Sequence, residues 1–300
     1  MPCMVQISTT LVTAKSYDLR RTMSSLSSGR QDPTARANGQ RFEFSLLTPS
    51  GAVTIQATPA PEQLQVQLDG AGAEWLVPHL GGLFGLNDIP TEFFPEHPVR
   101  ALQSKRPGIH LIRVPVLFHR LVQIVLHQLV TWEEAAWAWQ EMTRRYGMDA
   151  PGSSGLMTGP TPERLNGLAY FDLVDCGILP RQARLILRLA REARRIERVR
   201  QQGDDQLIAW LRKMPGIGDW TLRTLQGSCL ADADAVVTGD YGLPHVACWF
   251  FKRQPRGTDA EMLELLEPYR GHRYRVLQLL MHAGVQAPRR GPKMRVRSWK

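Results

Sequence analysis

The stretch "LRKMPGIGDWT", Leu211 to Thr221, breaks two helical patterns with Pro215-Gly216-Ile217-Gly218. Before it, Leu207, Ile208, Leu211 and Met214 form an apolar stripe at helical spacing; after it, Leu222 and Leu225 do the same. Pro215 and Gly216 end the first helix, and Gly218 is expected to permit the reversal into the second. A helix starting there exposes unpaired backbone N–H groups and its positive dipole end. A phosphate oxygen can be held at such a place without regard to base sequence. An ordinary helix junction with a glycine cap carries the same Gly-x-Gly, so the rest of the chain decides between the two.

Charge points the same way as the hairpin. The 300 residues carry 37 Lys and Arg against 28 Asp and Glu, a net charge of +9. That excess favours nucleic acid, an anionic membrane surface or acidic ligands. The longest apolar run, "VPVLFHRLVQIVLHQLV", is interrupted by His119, Arg120, Gln123 and His127 and is too polar to span a bilayer. The start, "MPCMVQISTTLVTAKS", lacks a basic segment followed by an apolar core, so no signal peptide is read. Cys3, Cys176, Cys229 and Cys248 form no CxxC pair, which argues against a thiolate zinc site or a four-cysteine iron–sulfur cluster and suits a reducing compartment. A soluble, cytoplasmic protein with no membrane partner is expected.

Two regimes follow along the chain. Strand-like segments at Val5–Val12, Arg41–Leu47, Val53–Thr58 and Leu64–Leu68 are separated by turn residues, with short helices expected at Asp18–Leu26 and Trp75–Phe84. Ser24–Arg36, rich in Ser, Gly and Arg, reads as a loop or a partly disordered segment. Beyond about residue 114 the period turns helical. Val116–Leu129 is apolar almost all round, as a buried central helix would be. Thr131 with Glu134, and Thr258 with Glu261, are capping boxes, and Thr161-Pro162 is a further helix start. Helices are expected near Phe171–Cys176, Pro180–Arg200, Asp204–Lys213, Trp220–Gly227, Thr238–Lys252, Thr258–Glu267 and Gly271–Ala283. The expected fold class is α+β: an N-terminal antiparallel sheet domain over 1–100, an all-helical core over 101–288 with an internal loop at 147–162, and a basic tail over 289–300. Arg184, Arg188, Arg191, Arg195 and Arg198 recur at intervals of four and three on one helix, either a solvated face or a surface for phosphates or a partner protein.

Taken together, "LFHRLVQIVLHQLVTWEEAAWAW", "TPERLNGLAYFDLVDCGILPRQARLILRLAREA", "MPGIGDWTLRTL", "DADAVVTGDYGLPHVACWFF" and "LLEPYRGHRYRVLQLLMHAG" resemble segments of the helix-hairpin-helix DNA glycosylases, specifically the bacterial 3-methyladenine glycosylase II branch. The resemblance runs over most of the chain and is least specific in the N-terminal region. It implies an enzyme that everts a damaged base from double-stranded DNA and hydrolyses its N-glycosidic bond as a monomer without an organic cofactor. It also implies Asp240 as the catalytic carboxylate. By composition alone Asp240 is equally a helix cap, and Asp232 and Asp234 are acidic competitors nearby.

The same resemblance makes Leu129 the side chain that wedges into the gap left by the everted base. It makes Pro215, Gly216, Ile217, Gly218 and Thr221 the phosphate-holding hairpin. Trp220 is a candidate wall for the base, since an indole face attracts a cationic methylated purine. Tyr241 and Trp132 are further pocket candidates, although these, like Trp249 and Tyr274, read equally as packing. Thr224 stands where some relatives place a pocket aromatic. Bifunctional relatives carry a Schiff-base lysine two residues after the last hairpin glycine; here that residue is Trp220, which implies no lyase activity. The family also suggests a monovalent cation on the hairpin carbonyls, with no metal held by side chains. Two other readings stay open: a same-fold enzyme for oxidised or deaminated bases, and a non-catalytic module that binds damaged DNA.

Overall fold

The computed structural model describes residues 5–90, 93–152 and 154–288; Cys3 and the basic tail at 289–300 lie outside them. The N-terminal part holds strands β1 Gln6–Val12, β2 Ala35–Asn38, β3 Arg41–Thr48, β4 Gly51–Ala60 and β5 Gln63–Asp69, in the order β1-β5-β4-β3-β2. Every neighbouring pair is antiparallel. Alternation sets the inward face, with Leu64, Val66 and Leu68 of β5 buried between exposed or half-exposed glutamines. Short helices α1 Leu19–Thr22, α2 Ala73–Leu76 and α3 Leu80–Leu83 accompany the sheet.

The helical part comprises α4 Val99–Lys105, α5 Phe118–Leu126, α6 Trp132–Tyr146, α7 Pro162–Asn166, α8 Tyr170–Val174, α9 Pro180–Arg200, α10 Asp204–Arg212, α11 Asp219–Cys229, α12 Leu243–Lys252, α13 Asp259–Leu266 and α14 Arg273–His282. Both capping boxes form: Thr131 and Thr258 accept from the backbone N–H of Glu134 and Glu261, whose carboxylates reach back to the cap N–H. α5 is buried along nearly its whole length. One hydrophobic cluster runs from the inner face of the sheet through α5, α6, α9 and α11, while a second joins Val99 of α4 to α12, α13 and α14. The 147–162 loop forms a small ladder, β6 Met148–Asp149 with β7 Met157–Thr158, and ties itself to the sheet through Thr54 Oγ1 donating to Pro151 O at 2.6 Å and Ser45 Oγ to Met157 O at 2.7 Å.

Of the two readings of Ser24–Arg36, residues 27–34 are a loop, and a packed one: buried Asp32 accepts from the Ser28 N–H, from the N–H and hydroxyl of Thr34 and from the Trp139 indole, while Ser24–Leu26 is a 3-10 turn and β2 begins at Ala35. Three expectations are corrected. The Trp75–Phe84 helix is broken by a 3-10 turn over Val77–His79, because Pro78 has no N–H to continue it. The central helix stops at Leu126, since Leu129 takes φ +58. The Thr238–Lys252 helix starts only at Leu243, because Gly239 has φ +75 and the Asp240 side chain takes the next free N–H groups. The short helix α4 went unread; seven residues without a capping signal leave little pattern to find.

Candidate active site and nucleic-acid interface

α10 gives way to a tight turn in which Gly216 has φ +98, a conformation that side chains with a Cβ rarely adopt. Gly218 corrects the sequence expectation: its backbone is extended, with φ −104 and ψ −179, so it is not the residue that makes the reversal. A Cβ there would meet nothing within 4 Å, so its missing side chain leaves open space in front of α11. Leu222 N–H bonds Gly218 O at 3.1 Å, the first intrahelical bond of α11. The N–H groups of Asp219, Trp220 and Thr221 precede it and have no acceptor within the helix. Ile217 is buried and anchors the turn, while Pro215, Gly216 and Gly218 are exposed.

Side chains from the α5–α6 turn and from α9 hold this turn. Gln128 Nε2 donates to Gly216 O at 3.1 Å and to Thr221 Oγ1 at 2.9 Å, so the buried Thr221 hydroxyl already has a protein partner. Arg188 Nη1 donates to Pro215 O at 3.2 Å. Asp219 in the first turn opposes an approaching phosphate, and its ion pair with Arg212 offsets that charge. Gln182 Nε2 in turn donates to the carbonyls of Val125, Leu126 and Gln128, satisfying the end of α5. Gln128, Gln182 and Arg188 are what the sequence reading missed as supports of the hairpin; a glutamine near a helix end carries no distinguishing signal.

Asp240 is half-buried at the start of α12. Its Oδ1 accepts from the backbone N–H of Gly242 at 2.8 Å and of Leu243 at 2.9 Å, and its Oδ2 accepts from the Trp220 indole Nε1 at 3.0 Å. All three partners donate, so both oxygens act as acceptors. The cap and the candidate catalytic group are therefore one residue, tied by Trp220 to the hairpin helix. Its acidic neighbours are engaged elsewhere. Asp234 accepts from Gly271 N–H at 2.7 Å and from Arg273 Nε at 2.8 Å, and Asp232 from Gln226 Nε2 at 3.1 Å.

A five-stranded antiparallel sheet, a buried central helix and a Pro-Gly-x-Gly hairpin ending 22 residues before a helix-capping aspartate now stand together. The 3-methyladenine DNA glycosylase from Archaeoglobus fulgidus superposes with a TM-score of 0.77 at 18% identity, covering 91% of this chain and 97% of that one. The fold is that of the helix-hairpin-helix DNA glycosylases. The Clostridium acetobutylicum 8-oxoguanine glycosylase/lyase, in complex with double-stranded DNA, superposes with a TM-score of 0.70 at 12% identity over 94% of this chain and 97% of that one. The Schizosaccharomyces pombe 3-methyladenine DNA glycosylase in complex with abasic DNA covers 64% of this chain and 93% of its own, with a TM-score of 0.51 at 18% identity. No family model and no curated protein matches the chain by sequence.

Within this glycosylase fold the remaining candidates are placed as follows. Leu129 is 76% exposed at the tip of the α5–α6 turn, next to the Gln128 that grips the hairpin. Tyr241 is 85% exposed beside Asp240. Trp132 lies against Gly29, whose Cβ position would fall 2.3 Å from the indole, and is half-exposed. Tyr274 is buried over Gly227 and Trp249 sits under Arg253, so both pack. In the arginine stripe, Arg184 stacks on Tyr170, Arg188 holds the hairpin, and Arg195 lies over Trp210. Arg270 pairs with Glu267. His119 Nε2 lies 2.9 Å from Pro160 O, and burial lowers the His127 pKa to about 4, so both read as core residues. A cavity of about 550 Å³ lies between the sheet and α5, α6 and α9; it includes neither Asp240 nor Trp220 and is apart from this site. No described helix is long and apolar enough to cross a membrane.

Proposed function

We propose that the chain is a monofunctional DNA glycosylase, acting as a monomer, that hydrolyses the N-glycosidic bond of alkylated purines such as 3-methyladenine and 7-methylguanine in double-stranded DNA. The observation that carries this reading is the Asp240 carboxylate, half-exposed and bonded through both oxygens, beside a hairpin whose free N–H groups open onto unfilled space. Two of the similar structures are 3-methyladenine DNA glycosylases, which supports the alkylated-base class.

The chemistry follows from that placement. The hairpin N–H groups hold a backbone phosphate, and the target nucleotide leaves the stack. Leu129 fills the gap. An N-alkylated purine already carries positive charge, so it departs as a neutral base with the bonding electron pair and needs no strong acid. The sugar is left as an oxocarbenium-like cation, which the fixed carboxylate stabilises. Water then adds its oxygen to C1′ and loses a proton to Asp240 or to solvent, leaving an abasic site. Trp220 stands where a Schiff-base lysine would be needed for strand cleavage, so the chain is expected to leave the strand intact.

A monovalent cation on the hairpin would take its backbone carbonyls as ligands. Met214 O, Pro215 O and Gly216 O accept from Ile217 N–H, Arg188 and Gln128, and the guanidinium already brings positive charge there.

A panel of duplexes, each with one defined lesion, tests the substrate class. Release from alkylated purines is expected, and release confined to 8-oxoguanine or uracil overturns it. The wedge makes a separate prediction. Leu129→Ala is expected to slow release from paired duplexes by about tenfold or more while leaving single-stranded substrates nearly unaffected, since only a duplex has a gap to fill. Its melting temperature should hardly move, because the side chain is exposed. Equal slowing on both substrates would remove the wedge role.

A further inference from the structure

The Asp240 carboxylate draws its donors from two elements. Oδ1 is fixed by its own helix, through the N–H groups of Gly242 and Leu243. Those two bonds hold one oxygen, and the other takes a third partner that adds to the restraint. That partner is the Trp220 indole N–H, 3.0 Å from Oδ2 and 20 residues away in the chain. Trp220 sits in the first turn of α11, the helix whose N-terminus opens behind the hairpin. Any shift of that helix is therefore passed to Oδ2.

We propose that Trp220 is a positioning residue for Asp240: its indole N–H, rather than its ring face, sets the direction of the oxygen that meets the sugar, and couples that oxygen to the phosphate-holding hairpin. The inference rests on the glycosylase reading of Asp240. A wall for the everted base would use the ring's face and would be indifferent to the N–H. The two roles separate cleanly by substitution, because phenylalanine keeps an aromatic face and removes the donor.

The test uses the full chain, with single-turnover release of 7-methylguanine from methylated duplex DNA. Trp220→Phe is expected to lower the saturating rate by about 10- to 100-fold, the rate equivalent of one hydrogen bond to a charged group. Affinity for abasic duplex should stay within about threefold, since the phosphate contacts are backbone groups. In an Asp240→Asn background the same substitution should cost nothing further, because coupled residues are non-additive. A wild-type rate in Trp220→Phe, or a loss confined to KM, overturns the proposal and leaves the ring as a wall. A second readout does not depend on activity or on the fold of the Phe variant. The indole N–H signal of Trp220 in the 15N-labelled chain should move strongly in Asp240→Ala, and an unmoved signal also overturns it. Failure of the glycosylase reading is distinguishable: wild-type protein would then release no base, while the indole signal would still report the bond.

Discussion

Asp240→Asn is expected to lower base release by on the order of 10²–10³-fold while duplex binding stays equal or tightens. The asparagine oxygen can still accept from Gly242 and Leu243, so α12 keeps its cap. Two things are lost. The negative charge that stabilises the oxocarbenium-like sugar is gone, and the amide nitrogen now faces the Trp220 N–H, donor against donor. Removing an anion near the DNA backbone also removes a repulsion, which is why affinity is not expected to fall. Single-turnover kinetics with a parallel binding titration at fixed salt separate the two effects. A non-catalytic damage-binding protein would show no base release in wild type and no response of binding to this change.

The largest expected effect on stability comes from a pair far from the hairpin. Arg275, 5% exposed, donates in parallel to Asp88, with Nη1 to Oδ2 at 2.9 Å and Nη2 to Oδ1 at 2.6 Å. The same carboxylate accepts from Leu111 N–H at 2.8 Å, so it fastens α14 to the loop before α5. Asp88→Ala would leave a guanidinium buried with no acid partner, a loss of about 3–5 kcal/mol. A fall in melting temperature on the order of 10 °C is expected; a shift under about 2 °C would show that the guanidinium finds water or another acceptor.

This pair also gives the chain an acid limb. Burial pushes the Asp88 carboxyl up, but the hydrogen bonds and charge of Arg275, with Leu111 N–H and His110 adding to them, outweigh it and hold the group below its ordinary value. Asp234 behaves alike: burial raises it, and Arg273 with Gly271 N–H more than reverses this. Depressed carboxyls contribute stability that is fully present above the unfolded value, about 3.9, and is lost as pH falls through the lower folded values. Melting temperature should therefore be insensitive to these groups at neutral pH and drop below about pH 4. In Asp88→Ala the part due to Asp88 should be absent.

Local features of the fold were readable from sequence and long-range ones were not. Strands β1, β3, β4 and β5 announced themselves by alternation, the capping boxes by Thr-x-x-Glu, and the hairpin by Pro-Gly-x-Gly, all within a few residues of chain, whereas β2 did not. The bounds of α9 matched the expected Pro180–Arg200 because a proline start and an uninterrupted apolar stripe define them. The Trp220–Asp240 bond, the Gln128 and Arg188 grips on the hairpin, and the Asp88–Arg275 pair join residues 20, 27, 88, 93 and 187 apart. No periodicity encodes such contacts; they exist only once packing brings the elements together. Helix ends misjudged from sequence fell at Leu129 and Gly239, where a left-handed backbone overrides helix propensity. Both positions flank the candidate site.

The most direct measurement is chromatography of the products from wild-type protein and methylated duplex DNA, with the strands followed on a denaturing gel. Free 3-methyladenine or 7-methylguanine should accumulate, and the strands should stay intact until alkali cleaves the new abasic sites. Absence of any released purine, or strand breaks that form without alkali, would contradict a hydrolytic role for Asp240.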